Sequence, residues 1–152
     1  MRIRSLLCLP AAVLLLGIVA PCALAADRDA IVGQWYTVEN KARVAIFACE
    51  ERYCGRIVWL KEPRNSDGTA KIDLHNPDPN QRRAPIIGLE LVSDFAFDGN
   101  AEWKGGRIYD PENGKTYSCK MVLTDDGRLK VRGYIGVSLL GRTQIWTRAI
   151  PE

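Results

Sequence analysis

The chain has 152 residues, with 21 Lys and Arg against 18 Asp and Glu and a formal net charge of +3. That length suits one domain with a real core and is short for two. Arg2 and Arg4 belong to a leader-like start, and without them the charge of +3 falls to about +1. That argues against a nucleic-acid partner, whose phosphates need a concentrated positive surface.

Residues 1–25 read as a cleavable signal peptide. Leu6 to Ala20 is an uncharged apolar run behind the two arginines, and Ala23-Leu24-Ala25 is a small-x-small site of the kind a signal peptidase accepts. Pro10, Gly17 and Pro21 interrupt the run, and its apolar core is short for a bilayer span of roughly 20 residues. Pro21, before Cys22, is bulkier than the residue a lipidation site takes there. The expectation is a periplasmic or secreted domain over residues 26–152, with no integral membrane span and with Cys49, Cys54 and Cys119 as its cysteines.

Within that domain period-2 alternation recurs with turn signals between the runs, and helical periodicity is scarce. The first candidate strand is Gly33 to Glu39. A hairpin follows from Arg43 to Lys61 around Cys49-Glu-Glu-Arg-Tyr-Cys54. A four-residue loop sets Cys49 opposite Cys54, Ile46 opposite Ile57 and Val44 opposite Trp59. A Cys49–Cys54 disulfide is then expected in an oxidising compartment. The spacer is wrong for a C-x-x-C redox pair and two thiols make a poor zinc site, so the bond is structural. On the other face of this hairpin Ala45, Phe47, Val58 and Leu60 form an apolar strip that, if outward, needs a partner.

Glu62 to Pro85 breaks the pattern. It is rich in Pro, Asn, Asp, Gly and Arg and lacks periodicity, and loops that long are usually functional or mobile. Strands resume at Ile86 to Phe95 and Glu102 to Asp110, where Gly105-Gly106 is a bulge, a turn or a break. Next come Thr116 to Leu123 and Arg128 to Gly136 around Asp125-Asp126-Gly127. A three-residue turn with left-handed Gly127 pairs Leu123 with Leu129, Met121 with Val131, Cys119 with Gly133 and Tyr117 with Ile135. A two-residue turn would oppose apolar to charged residues. Cys119 thus faces inward as a free thiol. Arg142 to Arg148 completes about eight short strands, the pattern of an all-β barrel or sandwich.

Catalytic and metal chemistry find little footing. His75, the single histidine, lies in the long loop without a Gly-x-Ser-x-Gly signature. Asp73, Asn76 and Asp78 are oxygen donors close together, but they lack the spacing of a helix-loop-helix calcium site, and such residues organise turns. Asp73, Asp94 and Asp110 leave paired-carboxylate hydrolysis as a minor alternative that spacing does not support. No catalytic residue, metal or cofactor is nominated.

Several stretches then fall into a series. They are Gly33-x-Trp35, Cys49 to Gly55 leading into Ile57-Val58-Trp59-Leu60-Lys61, Asp73-x-x-Asn76-Pro77-Asp78 and Gly106-x-Ile108-Tyr109-Asp110-Pro111. Gly114-Lys115-x-Tyr117, Arg132-Gly133-Tyr134-x-Gly136 and Gly141-Arg142-Thr143-Gln144-x-Trp146-Thr147-Arg148 complete it. In this order they resemble the bacterial family called domain of unknown function 2147, with Cys119 a departure where a small residue such as alanine is expected. The resemblance implies an exported protein with a single antiparallel, lipocalin-like β-barrel, and it implies no reaction. In such a barrel Trp35 plugs the closed end with Arg148 stacked over its face, Arg142 being the competing partner.

The remaining reading is binding. A barrel of about eight strands holds side chains or one small ligand, and the mouth is the favoured site. Tyr109, Tyr117, Asp73, Asn76 and Arg132 are the candidates to line it for a small hydrophobic or amphipathic ligand. Against this, Tyr117 can be core and Arg132 can lie outside, as its alternation suggests. A structural or protein-interaction role in the envelope is the alternative.

Overall fold

A computed structural model describes residues 27–150. The proposed signal peptide lies outside the described residues. Eight antiparallel strands form one closed barrel in which each pairs with its sequence neighbours and the last returns to the first. They are β1 (Gly33–Tyr36), β2 (Ala42–Cys49), β3 (Arg52–Leu60), β4 (Glu90–Phe97), β5 (Glu102–Asp110), β6 (Lys115–Leu123), β7 (Leu129–Tyr134) and β8 (Arg142–Arg148). Short 3-10 turns at Val38–Asn40, Pro79–Gln81 and Ser138–Leu140 all sit at the end where β1 leaves the barrel and β2 enters it. That end is the mouth.

Alternation decides the interior, because successive side chains point to opposite faces of a strand. Trp35, Val44, Val92, Phe95, Trp103, Met121, Leu129 and Val131 are all buried inward. The base is closed by the turn that precedes β1. Ile31 is buried there, and its carbonyl accepts a hydrogen bond from Trp35 Nε1 at 2.8 Å. Trp103 Nε1 donates to Arg28 O at 3.1 Å, and Tyr53 Oη donates to the Asp29 carboxylate at 2.5 Å. Arg148 lies 4.2 Å over the Trp35 ring, donating to the carbonyls of Val32 and Ala30. One guanidinium thereby stacks on the plug and ties down the segment that crosses it.

The β6–β7 hairpin has the expected three-residue turn. Thr124 N donates to Arg128 O at 2.9 Å, Gly127 has φ 76°, and Leu123↔Leu129, Met121↔Val131 and Cys119↔Gly133 are paired. The further pairing of Tyr117 with Ile135 does not occur, since β7 stops at Tyr134 and Ile135 is 70% exposed. Cys119 is a buried free cysteine whose thiol is pushed up to about 12 by burial, which leaves it protonated and unreactive at neutral pH.

The β2–β3 hairpin departs from expectation. Glu50, at φ 55°, helps close a two-residue turn, so that Cys49 opposes Arg52 and Cys54 opposes Phe47. The Cys49–Cys54 disulfide is present, but it crosses the ladder diagonally with Cα atoms 5.8 Å apart. A slip of two residues preserves the in–out pattern, so Val44, Ile46 and Ile57 stay buried. Farther along, a bulge at Val58 moves the register back by one residue, giving Arg43↔Trp59 and Ala42↔Leu60. Trp59 therefore faces outward beside Arg43 and Tyr36, whereas Leu60 packs against the core. The expected outer apolar strip is broken twice, by the inward Leu60 and by Arg56 stacked 5.0 Å over Phe47.

Two strand boundaries move for local reasons. β1 ends at Tyr36 because Val38–Asn40 forms a 3-10 turn with Glu39 and Asn40 at positive φ. Ile86 to Leu89 is a turn pinned by Gly88 N donating to Ile57 O and Ile57 N donating to Leu89 O, so β4 begins at Glu90. Gly105-Gly106 is a bulge inside β5, with Trp103↔Met121 and Gly106↔Cys119 on either side. Gly106 is required for space, because a Cβ there would sit 2.4 Å from the Phe95 ring.

Two stability outcomes follow. Gly106→Ala forces the buried Phe95 ring to move and is expected to destabilise by roughly 1–3 kcal/mol in urea unfolding. The double change C49S/C54S opens a very short covalent loop and is expected to lower stability by about 2 kcal/mol, with wild type under reductant showing the same loss.

Candidate binding site at the barrel mouth

The long Glu62–Pro85 segment is a folded flap over the mouth. Its outer end is a tight turn, with Asn65 N donating to Thr69 O and the bridge Arg64↔Ala70. Its two arms are joined by the bridge Ile72↔Pro85, by Asp73 N donating to Ala84 O and by Ile86 N donating to Lys71 O. Asp78 caps the Pro79–Gln81 turn through Asn80 N, and Arg82 Nε donates to Asn76 O at 2.8 Å. Asx and proline chemistry thus orders a stretch without periodicity.

Asp73 sits at the centre of this arrangement. It is fully buried at 0% exposure, with Tyr109 Oη donating to Oδ1 at 2.8 Å and Asn76 Nδ2 to Oδ2 at 2.6 Å. Burying a carboxylate is costly unless its oxygens are satisfied, and here both accept hydrogen bonds. Tyr109 comes from β5, so the pair locks flap to barrel wall. Burial, then the hydrogen bond to Asp73, pushes the Tyr109 hydroxyl up to about 12. A second lock is steric. His75 O lies where a Gly114 Cβ would stand at 1.9 Å, and Gly114 also has φ 70°, so no other residue fits that turn.

Beneath the flap an open cavity of about 1630 Å³ enters the barrel. Its volume exceeds the roughly 300–1000 Å³ usual for ligand sites because it includes the wide mouth. Buried Ala42, Ile57, Ile86, Leu91, Val131 and Trp146 form its apolar wall. Lys61, Lys71, His75, Tyr109 and Arg142 stand among its polar lining. The lower half of the barrel is closed off by the packed Trp35, Phe95, Trp103 and Met121. A smaller hollow of about 390 Å³ lies between Gln81 and Glu90, with Glu90 its one charged side chain.

Of the five residues expected to line the mouth, Tyr109 and Tyr117 line the cavity, the Tyr117 hydroxyl accepting from Asn113 Nδ2 at 3.0 Å. Asp73 and Asn76 are not among the lining residues; Asp73 accepts from both Tyr109 and Asn76 behind the wall. Arg132 stands apart. Its guanidinium donates to Ser138 O, Leu139 O and Thr143 Oγ1, bracing the β7–β8 connection, and it is not among the cavity-lining residues. Arg148 stacks on Trp35 at the base, while the competing Arg142 lines the opposite, open end.

The wall residues Ile86, Leu91 and Trp146 were not nominated. Ile86 belongs to the turn before β4 and Leu91 adjoins inward Val92, so alternation does not single them out, and it does not show which height of the barrel is empty. Among carboxylates, Asp110 accepts from Glu112 N and Asn113 Nδ2, and Asp94 is exposed on β4. Among the described residues no group of three or more His, Cys, Asp or Glu is placed to hold a metal ion.

Fold and mouth together define a lipocalin-like β-barrel. The chain belongs to the bacterial family described as "Uncharacterized protein conserved in bacteria (DUF2147)", whose model matches residues 33–148. It is similar to a solved structure of protein HP1028 from Helicobacter pylori, described as belonging to the lipocalin family. The identity is 26%, with a TM-score of 0.66 over 78% of this chain and 82% of that one. No curated protein matches the sequence.

Tyr109→Phe removes the donor to a buried carboxylate oxygen and is expected to cost about 1–3 kcal/mol in urea unfolding at neutral pH. The folded pKa of Tyr109 lies above its ordinary value of 10.0, at about 12. Its protonated form therefore contributes fully below about pH 10, and the contribution is lost as pH rises through about 12. The stability gap between wild type and Tyr109→Phe should narrow across that window.

Proposed function

We propose that this protein binds a small hydrophobic or amphipathic molecule in the open half of its barrel, in the bacterial envelope after signal-peptide cleavage. The observation that carries this reading is the division of the mouth cavity into an apolar wall, with Ile57, Leu91 and Trp146, and a polar lining with Lys61, Lys71 and Tyr109. Such a site takes an apolar body inward and leaves a polar end at the opening. The Tyr109 hydroxyl donates to Asp73, so its oxygen lone pairs are free to accept from a ligand donor. The lipocalin-family description of the similar Helicobacter pylori protein supports the same reading.

Export is supported by the leader-like residues 1–25 and by the Cys49–Cys54 bond, since structural disulfides persist in oxidising compartments. Hydrolysis is less well supported. Asp73 and Asp110 are engaged in local hydrogen bonds, and Asp94 does not line the cavity.

Native mass spectrometry on protein purified without detergent tests the binding reading. A non-protein mass that disappears on denaturation is expected. Ala42→Trp fills the mouth side of the cavity and should reduce ligand retention about tenfold or more with unchanged circular dichroism, since removing apolar contact of this size is worth at least 1.4 kcal/mol. A clean single-chain mass, together with no uptake of an environment-sensitive apolar dye, would overturn the reading.

A further inference from the structure

We propose that the tip of the β7–β8 hairpin docks on the surface of a bilayer that carries anionic headgroups. Four large apolar side chains stand exposed within six residues there: Ile135 at 70%, Val137 at 62%, Leu139 at 86% and Leu140 at 78%. Single exposed apolar residues are ordinary, but a contiguous group of this kind marks a contact surface.

The tip is held open. Arg132 Nε donates to Ser138 O at 2.7 Å and Nη2 to Leu139 O at 3.0 Å, while Nη1 donates to Thr143 Oγ1 at 2.7 Å. Gly141 lies tightly against the β7 end, where a Cβ would come within 2.6 Å of Gly133 O. These contacts fix the backbone in a shape that presents Val137 and Leu139 to solvent.

Charge selects the partner. The tip is flanked by Arg132 and Arg142, and between Asp126 and Glu152 the sequence holds no acidic residue. An apolar tip with a basic stem is complementary to an anionic lipid surface, whose potential attracts cations and whose interface accepts apolar side chains. A protein partner or a second copy fits less well, because a stable interface uses roughly 20–30 residues a side and this tip offers a handful. Tyr134, Ile135, Leu140 and Arg142 also line the mouth cavity, so docking would set the cavity opening against the membrane. The proposal does not require that the cavity be filled.

Co-sedimentation of the purified protein with vesicles tests it. Vesicles of phosphatidylglycerol and phosphatidylethanolamine in equal parts provide the anionic surface, and phosphatidylcholine vesicles the neutral one. Wild type is expected to bind the first, with binding weakened by added salt, and to bind the second far less. V137S/L139S should weaken binding about tenfold or more, since two apolar side chains lose their burial. Both positions are exposed and neither lines the cavity, so the variant should fold and retain any ligand seen by native mass spectrometry. Absence of binding to the anionic vesicles, or equal binding by the variant, would overturn the proposal. So would a dimer in lipid-free solution that V137S/L139S abolishes, since a second copy would then be the occupant. Loss of ligand without loss of vesicle binding would strike the cavity reading alone.

Discussion

Closure of the sheet depends on a short ladder. Trp35↔Arg148 and Tyr36↔Thr147 are the register pairs that join β1 to β8, extended by Ala149 N donating to Gln34 O at 2.8 Å. An open sheet of this kind would expose two edges and the apolar face of every strand. The Arg148 guanidinium reinforces that seam from one side, stacking on Trp35 and bonding the carbonyls of Val32 and Ala30. The plug, the seam and the segment before β1 are therefore one unit. Its position fixes the other end of the barrel as the open one.

The interior is consequently asymmetric. Large aromatic side chains fill the base, where Trp103 is buried with Phe97 against it at 5.1 Å between centroids. Toward the mouth the inward residues are smaller, among them Ala42, Ile57 and Val131, and the wall recedes into the cavity. The flap spans this opening and is held by two local devices, the Asp73–Tyr109 hydrogen bond and the close approach of His75 to Gly114. Both join the flap to β5 and the turn that follows it. The β7–β8 connection at the same mouth is braced separately, by Arg132. The opening is thus bounded by two connections with independent supports, one polar and folded down, the other apolar and raised.

The outer apolar strip expected on the β2–β3 hairpin is interrupted by a bulge at Val58 and by Arg56 stacked on Phe47. By adding one residue at Val58 the chain turns Trp59 out beside Arg43 and Tyr36 and turns Leu60 in beside Ala42. Exposed apolar surface is concentrated instead at the β7–β8 tip. A strand pattern read from sequence assumes an uninterrupted period of two, and each bulge reverses the assignment of everything beyond it.

The sequence by itself determined the class of fold, most of the strands and one register. Glu102–Asp110 and Arg142–Arg148 have the limits read from the sequence, although the glycine bulge in β5 reverses the in–out pattern between Trp103 and Gly106. The Asp125-Asp126-Gly127 turn set the β6–β7 pairing, since only one loop length matches apolar to apolar. The cysteine pair and the facing of Cys119 were legible for similar local reasons. Tertiary structure alone decided the β2–β3 register, where left-handed Glu50 is not a residue that announces a tight turn. It also decided the height at which the barrel empties, and that Tyr109 and Tyr117 line the cavity while Asp73 and Asn76 do not. These outcomes depend on how strands distant in sequence meet around a closed ring. Local patterning says which face a side chain occupies, and only closure of the ring says what stands across from it.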